Sequence, residues 1–340
     1  MYTPDFSFTY PGKLNTELVR KPKIQTPALS ELFTIKNGVR CGEYLNLVQP
    51  LTTVLTKGTA DCSPTYTQAG SITDRKLETG LFEINLEWCK KHFAATCNQL
   101  SDSDLIGDGI SGYELGGLLR SMIFEEVLEA ARLDIFKVIF LSDNSLGAGS
   151  TNKYSNIDGV FVKFTDAATA YCVKTVSNTL PNQHNSVLST NQARDTFRTL
   201  WGNAQTLLKQ MPASQKQIWT TGSMWENYYD SIINDCCTEG SWKAGQDGLG
   251  DRLFYRGVEI LPLWVLDDAL ENDTDNPWYD EIRHFAVYTA KSNHLFGTEN
   301  AADLNNLEMC YDCRTKTTLI QGEMRLGYNF AQCDLISWAY

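Results

Sequence analysis

The sequence has 340 residues, with 29 Lys and Arg against 41 Asp and Glu, for a net charge of −12. Apolar residues make up 42% and charged residues 21%, which excludes a disordered or collagen-like chain and leaves room for one large or two modest domains. The acidic balance argues against a protein that coats nucleic acid over its whole surface. The longest apolar stretch, Ile260–Leu266, is interrupted by Pro262 and falls far short of the roughly 20 residues of a membrane span.

Residues 1–50 are rich in Pro and Gly and read as an extended arm with short elements. The N-terminus shows no charged region followed by an apolar run, so no secretory signal is expected. Lys13, Arg20, Lys21, Lys23, Lys36 and Arg40 outweigh Asp5, Glu17 and Glu31, so residues 1–40 are positive while the rest of the chain is strongly negative. Such an arm is either solvated or laid on something negative, such as packaged DNA or a neighbour's acidic face.

Two β-rich runs, Leu51–Thr56 and Ser71–Ile84, flank a polar middle and predict a hairpin over 51–88, too long to bury itself and so expected to project onto a partner. Residues 113–140 carry the longest helical stripe, through Leu115, Leu118, Leu119, Met122, Phe124, Val127, Leu128, Ala131 and Ile135. A loop at 141–160 leads to a predicted short strand, Gly159–Phe164. Phe197, Leu200, Trp201, Ala204, Leu208 and Met211 place a helix at 191–211, ended by Pro212. A strand at Gln217–Thr221 precedes Ser223-Met-Trp-Glu226, which reads as a capping box opening a helix through Ile233. Leu253–Leu261 reads as β structure broken at Gly257, and strands are expected at Arg283–Thr289, Leu307–Asp312, Lys316–Gln321 and Met324–Tyr340. The class is α+β.

Chemistry is hard to place on this chain. None of the four histidines lies in a Gly-x-Ser-x-Gly elbow or a His-Glu-x-x-His helix, and no phosphate loop occurs. Asp102–Gly109 begins like a calcium loop, but Ile106 and Tyr113 fall where oxygen ligands are required. Cys310 and Cys313 have metal-type spacing without a suitable second pair, and the ten cysteines are expected to be reduced thiols. The stretch Asp267–Glu281 holds seven acidic residues and no Lys or Arg, and reads as a solvated loop, the other reading being a segment that gathers a cation or meets a basic partner. No catalytic, cofactor-binding or metal-binding residue is assigned.

Several segments, taken in order, resemble the tailed-bacteriophage major capsid proteins of the Hong Kong 97-type fold. These are the Pro-rich arm, the polar-tipped hairpin ending in Asp74–Lys91, the long helix, and Asn156-Ile-Asp-Gly-Val-Phe-Val-Lys-Phe164, which is similar to the family's segment after that helix. They continue with Met211-Pro212 before a strand and Trp225-Glu-Asn-Tyr-Tyr229, the hairpin Leu253–Pro262, and the loop Asn293-His-Leu-Phe-Gly-Thr298, followed by Glu299 where the family has Asp. The resemblance implies an arm (1–50), an extended loop (51–88), a peripheral domain (89–144 and 291–325, with spine helix 113–140) and an axial domain (145–290 and 326–340).

It further implies a structural, non-enzymatic shell protein of the virion, built in the bacterial cytoplasm from hexamers and pentamers of this chain around double-stranded DNA. Portal, scaffolding and decoration proteins are the other expected partners, with no membrane. Arg20, Lys21, Lys23, Lys57, Asp74 and Arg75 are the candidates for inter-subunit or DNA-facing contacts. Arg20, Lys21 and Lys23 are placed on the inner face. Lys57 lies in the region of the prototype's cross-linking lysine, though no covalent cross-link is expected. Only about 50 residues precede the hairpin, so scaffolding, if used, is expected as a separate protein. An encapsulin-like nanocompartment shell shares the fold, and a cytoplasmic metal-dependent enzyme is the alternative of another class.

Overall fold

A computed structural model of the chain describes residues 27–40, 42–48, 72–89, 117–146, 152–169, 173–176, 180–181, 186–234, 252–300, 307–312, 314–315 and 317–340. In chain order the elements are α1 (Leu29–Leu32), β1 (Thr34–Asn37), β2 (Glu43–Val48), β3 (Ile72–Leu77), β4 (Gly80–Cys89) and α2 (Gly117–Leu141). Next come α3 (Val160–Thr169), β5 (Lys174–Val176), α4 (Gln192–Asn203), α5 (Thr206–Gln210), β6 (Lys216–Thr220) and α6 (Gly222–Asn234). The chain finishes with β7 (Leu253–Tyr255), β8 (Val258–Pro262), α7 (Trp264–Asn272), β9 (Ala286–Ala290), β10 (His294–Thr298), β11 (Glu308–Asp312), β12 (Thr317–Phe330) and β13 (Ile336–Ala339).

The described residues fall into two compact units. One holds Leu81–Ile135 and Asn300–Met324. In it β11 runs antiparallel to the first part of β12, from Glu308↔Gln321 to Asp312↔Thr317. Ile123 and Val127, one turn apart on α2, meet Leu307 and Ile320, with Ile84, Phe124, Leu128 and Met309 packed around them. Phe124, Val127 and Leu128 belong to the helical stripe expected from the sequence, whereas Ile123, the most buried helix residue here, was not among its positions.

The other unit holds Thr26–Gly80, Phe136–Glu299 and Arg325–Tyr340. Its six-stranded sheet has the order β5-β13-β9-β6-β8-β7. The middle strands β6, β9 and β13 are buried at every position, because helices and loops cover both faces. Phe197, Leu200 and Leu208 pack on the sheet with Ile218, Ile260 and Tyr288. A second core in this unit is aromatic: Phe33 lies 5.7 Å from the rings of both Phe140 and Trp219, and Phe161 lies 5.0 Å from Phe285. In the same unit β1 pairs in parallel with β10, which pairs antiparallel with the last part of β12.

Several expectations need correction. Hairpin pairing begins at Glu43↔Leu77 and extends to Val48↔Ile72, so its first strand lies in the segment read as arm; Leu51–Thr56 lies outside the described residues. Gly159–Phe164 is not a strand: α3 starts at Val160 and buries Val160, Phe161 and Phe164 on one side. The helix expected over 191–211 breaks at Ala204 and Gln205, whose extended backbone separates α4 from α5. The loop read at Asn293–Thr298 contains β10, buried at all five positions. The expected strand at Arg283 starts at Ala286. Cys333 is disulfide-bonded, against the expectation of reduced thiols, while Cys310 is free.

Candidate functional site

The hairpin is joined to the body of its unit by backbone bonds, a small apolar cluster and a pair of glycines. After β1 the chain turns at Gly38, which has a positive φ of 86°. The amides of Gly38 and Val39 donate to the carbonyls of Glu299 and Thr298. Leu45 and Leu77, one from each hairpin strand, bury against Val39 and Leu295. Tyr44 points the other way and is 65% exposed, as strand alternation requires.

Beyond β3 the backbone at Glu78 and Thr79 crosses over β10 and β12 where Gly297 faces Gly327. A Cβ on Gly327 would overlap the Glu78 carbonyl oxygen, and one on Gly297 would lie 2.9 Å from Leu77 Cδ2. The two glycines form the seat on which the hairpin's return strand rests. Asn329 Nδ2 donates to the Lys76 carbonyl at 2.7 Å, and the Thr79 hydroxyl points at the carbonyls of Val39 and Arg40.

An ionic tie closes the base. Glu299 Oε1 lies 2.5 Å from Arg40 Nε and its Oε2 3.4 Å from Arg325 Nε, while Arg325 Nη1 donates to the Arg40 carbonyl at 3.0 Å. Glu299→Gln leaves two guanidiniums facing each other without the charge between them. Because the groups are partly exposed, the expected loss is about 1 kcal/mol or less. Urea unfolding should show the gap from wild type shrinking in about 1 M salt.

Of the candidate contact residues, Asp74 is exposed on β3. Arg75 is half-buried with its guanidinium 4.3 Å from the centre of the Phe330 ring of its own chain, and burial lowers its pKa. Arg20, Lys21, Lys23 and Lys57 lie outside the described residues.

Two of the motifs quoted from the sequence have a packing reason. Gly159 fits against the end of α2, where a Cβ would lie 2.8 Å from the Ile139 carbonyl oxygen and 2.9 Å from that of Phe140. Asp158 beside it accepts from the Asn144 amide and from Lys163 Nζ. Asn293 is buried, and its side chain donates to the Gln332 carbonyl and accepts from the Gln332 amide, holding the bend between β12 and β13. His294 is fully buried between Thr289 and Tyr328, its ring centre 4.3 Å from that of Trp219.

The remaining candidates for chemistry resolve into packing. Ser223 does not form a capping box, since it lies within the first turn of α6. Its hydroxyl is 2.7 Å from His284 Nδ1 and 3.3 Å from Asp267 Oδ1. On the far side of the ring, His284 Nε2 meets the Ser186 carbonyl at 3.1 Å, a backbone group in the place where a triad would put a carboxylate. Burial, chiefly, lowers the His284 pKa.

Nor is Asp267–Glu281 one solvated loop. Its first part is α7, and Arg283 ties Asp267 and Glu271 together at 2.8 and 3.1 Å. Lys137 and Lys153 reach Asp268 and Asp273 from other segments. Among the described residues no group of three His, Cys, Asp or Glu is arranged to hold a metal ion, and no helix is long and apolar enough to cross a membrane.

No protein-family model matches the sequence, and no curated protein matches it. Solved structures do. The capsid of the native GTA particle matches with a TM-score of 0.58 at 10% identity, over 97% of this chain and 94% of that one. The capsid of Myoviridae phage XM1 gives 0.58 at 10% identity over 96% of each chain, and Mycobacterium phage Che8 gives 0.55 at 12% over 98% of each. The chain has the Hong Kong 97-type capsid fold. Gly297, in the stretch Asn293–Thr298 that carried part of the resemblance, is one half of the seat beneath the hairpin.

Proposed function

We propose that this chain is the structural major capsid protein of a tailed bacteriophage, assembling as hexamers and pentamers into an icosahedral shell around double-stranded DNA. The reading is supported by a capsid fold that covers nearly the whole of this chain and nearly the whole of its neighbours. The described surface is consistent with it. A two-stranded hairpin is marginal alone in water, and Tyr44 at 65%, Leu81 at 41% and Leu86 at 39% exposure lie on the hairpin and on β4. Large apolar side chains left on strands are the material of subunit contacts.

The division into a peripheral domain (89–144 and 291–325) and an axial domain (145–290 and 326–340) belongs to this proposal. So do portal, scaffolding and decoration partners, assembly in the host cytoplasm, the absence of a catalytic role, and an inner-face position for Arg20, Lys21 and Lys23. One matching structure is titled as a satellite phage P4 procapsid that includes a size determination protein, which supports looking for a separate assembly factor here.

Light scattering and negative-stain imaging of the purified protein provide the test. Particles tens of nanometres across, or rings of capsomers, are the expected result, with nuclease-protected DNA inside particles from infected cells. A monodisperse monomer at high concentration, unchanged by adding candidate scaffold, would overturn the reading.

A further inference from the structure

Lys216 and Arg256 lie over the Trp201 ring, and Lys209 reaches the adjoining Gly202 carbonyl. Lys216 is 3% exposed; its Nζ lies 5.1 Å from the centre of the Trp201 ring and 5.8 Å from that of Tyr288, and donates to the Lys209 carbonyl. Arg256 carries its guanidinium 5.2 Å from Trp201 and 5.6 Å from Tyr255. Lys209 Nζ donates to the Gly202 carbonyl at 2.8 Å. Arg256 sits at φ 51° in the tight turn between β7 and β8, a left-handed position that a non-glycine residue adopts at a cost. Among the described residues none of the three cations makes an ion pair. In a chain of charge −12 this is unusual. Arg256 is exposed and Lys209 half-buried, while Lys216 lies beneath them, so the first two are open to an anion and the third adds its charge from below.

The complementary surface lies at the other end of the same sheet. In the β6–β9 ladder Lys216 faces Ala290 and Thr220 faces Ala286. The cations therefore stand at the start of β6. The turn 273–281, which leads into β9 at Ala286, stands beyond its end, about 14 Å along the strand. Asp275, Asp280 and Glu281 on that turn are exposed and make no ion pair. The turn is firmly held: Asn152 donates to the Asp275 carbonyl at 2.7 Å, and buried Trp278 donates from Nε1 to the Leu141 carbonyl at 3.1 Å. The two ends of the β6–β9 pair thus carry opposite charges, and among the described residues neither group is ion-paired. Contacts between two different patches of identical chains are the kind that close into rings.

We propose that in a ring of copies Lys209 and Arg256, backed by the buried charge of Lys216, receive the acidic turn Asp275–Glu281 of the next copy. This rests on the shell reading above. Nucleic-acid phosphate is the other anion such a cluster could meet; a second copy is favoured because the matching charges stand at the opposite end of the same unit.

The test compares four proteins for the concentration at which capsomers form at low salt: wild type, Lys209→Glu with Arg256→Glu, Asp280→Lys with Glu281→Lys, and all four changes together. Wild-type assembly establishes the shell reading; its absence would remove that reading and this pairing together. Each double variant should need about tenfold more protein or greater, since like charges then face each other. The quadruple variant should return to within about threefold of wild type. Lys209→Gln with Arg256→Gln provides a milder version, with a rise of about threefold, should reversal at the strained turn disturb folding; unfolding midpoints verify each fold. Double variants that assemble like wild type, or a quadruple variant no better than the doubles, would overturn the pairing. Normal assembly with loss of DNA retention would assign the cluster to nucleic acid instead.

Discussion

Replacing Gly327 by alanine is expected to cost about 3 kcal/mol or more of folding stability and most of the soluble yield. Overpacking a tight site typically costs 1–3 kcal/mol when side chains can yield. Here the obstacle is the Glu78 carbonyl oxygen, part of the backbone that carries the hairpin across β12. It can retreat only if Leu77 leaves Val39 and Leu295, and if the bonds of Thr79 and Asn329 at the crossing lengthen.

Two companion substitutions bracket this result. Gly297→Ala meets the far end of the Leu77 side chain, which can turn aside, so a loss of about 1–2 kcal/mol is expected. Gly202→Ala, in α4 with nothing within 4 Å of the added carbon, should stabilise by about 0.5–1 kcal/mol. Denaturant unfolding of the three variants reads out the order. If Gly327→Ala were as stable as wild type, the crossing would not be held on this seat.

Parts of this arrangement were visible in the sequence and parts were not, for physical reasons. α2 was legible because inward positions recur with helical spacing, as Phe124, Val127 and Leu128 do, although Ile123 was passed over. By contrast α3 was misread: Val-Phe-Val-Lys-Phe has the composition of a strand, and only the fit of Gly159 under the end of α2 makes it the start of a helix. β10 is buried at all five positions and so shows no alternation from which to call out a strand. Glycines at 297 and 327 are separated by 30 residues of sequence, and nothing local pairs them. Charge had the same difficulty. The stretch Asp267–Glu281 contains no cation of its own, yet Lys137, Lys153 and Arg283 arrive from outside it. The cluster on Trp201 draws on three separate segments, so it too emerges only with the fold.

His294 is expected to make the fold labile in acid. Thr289 gives its hydroxyl proton to the Leu335 carbonyl at 3.0 Å, so its oxygen accepts from His294 Nε2–H at 2.7 Å. That tautomer leaves the Nδ1 lone pair to accept from the Tyr328 hydroxyl, also at 2.7 Å. Protonating Nδ1 would remove the acceptor from Tyr328 and set a charge among Phe33, Phe164 and Trp219. Burial accordingly lowers the His294 pKa to about 3 from an ordinary value of 6.5. Between those values the unfolded chain binds the extra proton and the folded chain does not. The stabilisation is therefore complete above about pH 6.5 and declines as pH falls, by about 1.4 kcal/mol per unit until the folded pKa is reached. Lowered by burial as well, His284 contributes with the same sign. Over two units the His294 effect alone is a large part of the roughly 5–15 kcal/mol that holds a domain together.

Urea unfolding of wild type and His294→Gln from pH 7 to pH 4 isolates the effect, because the carboxylates and His284 are common to both. At pH 7 the variant should be less stable by about 1–3 kcal/mol, having lost part of the Thr289–Tyr328 bridge. Toward pH 4 the gap should close and then reverse, since glutamine cannot take the proton. A gap that stays constant over that range would mean that His294 titrates alike in the folded and unfolded chains, and that the acid response of this subunit originates elsewhere.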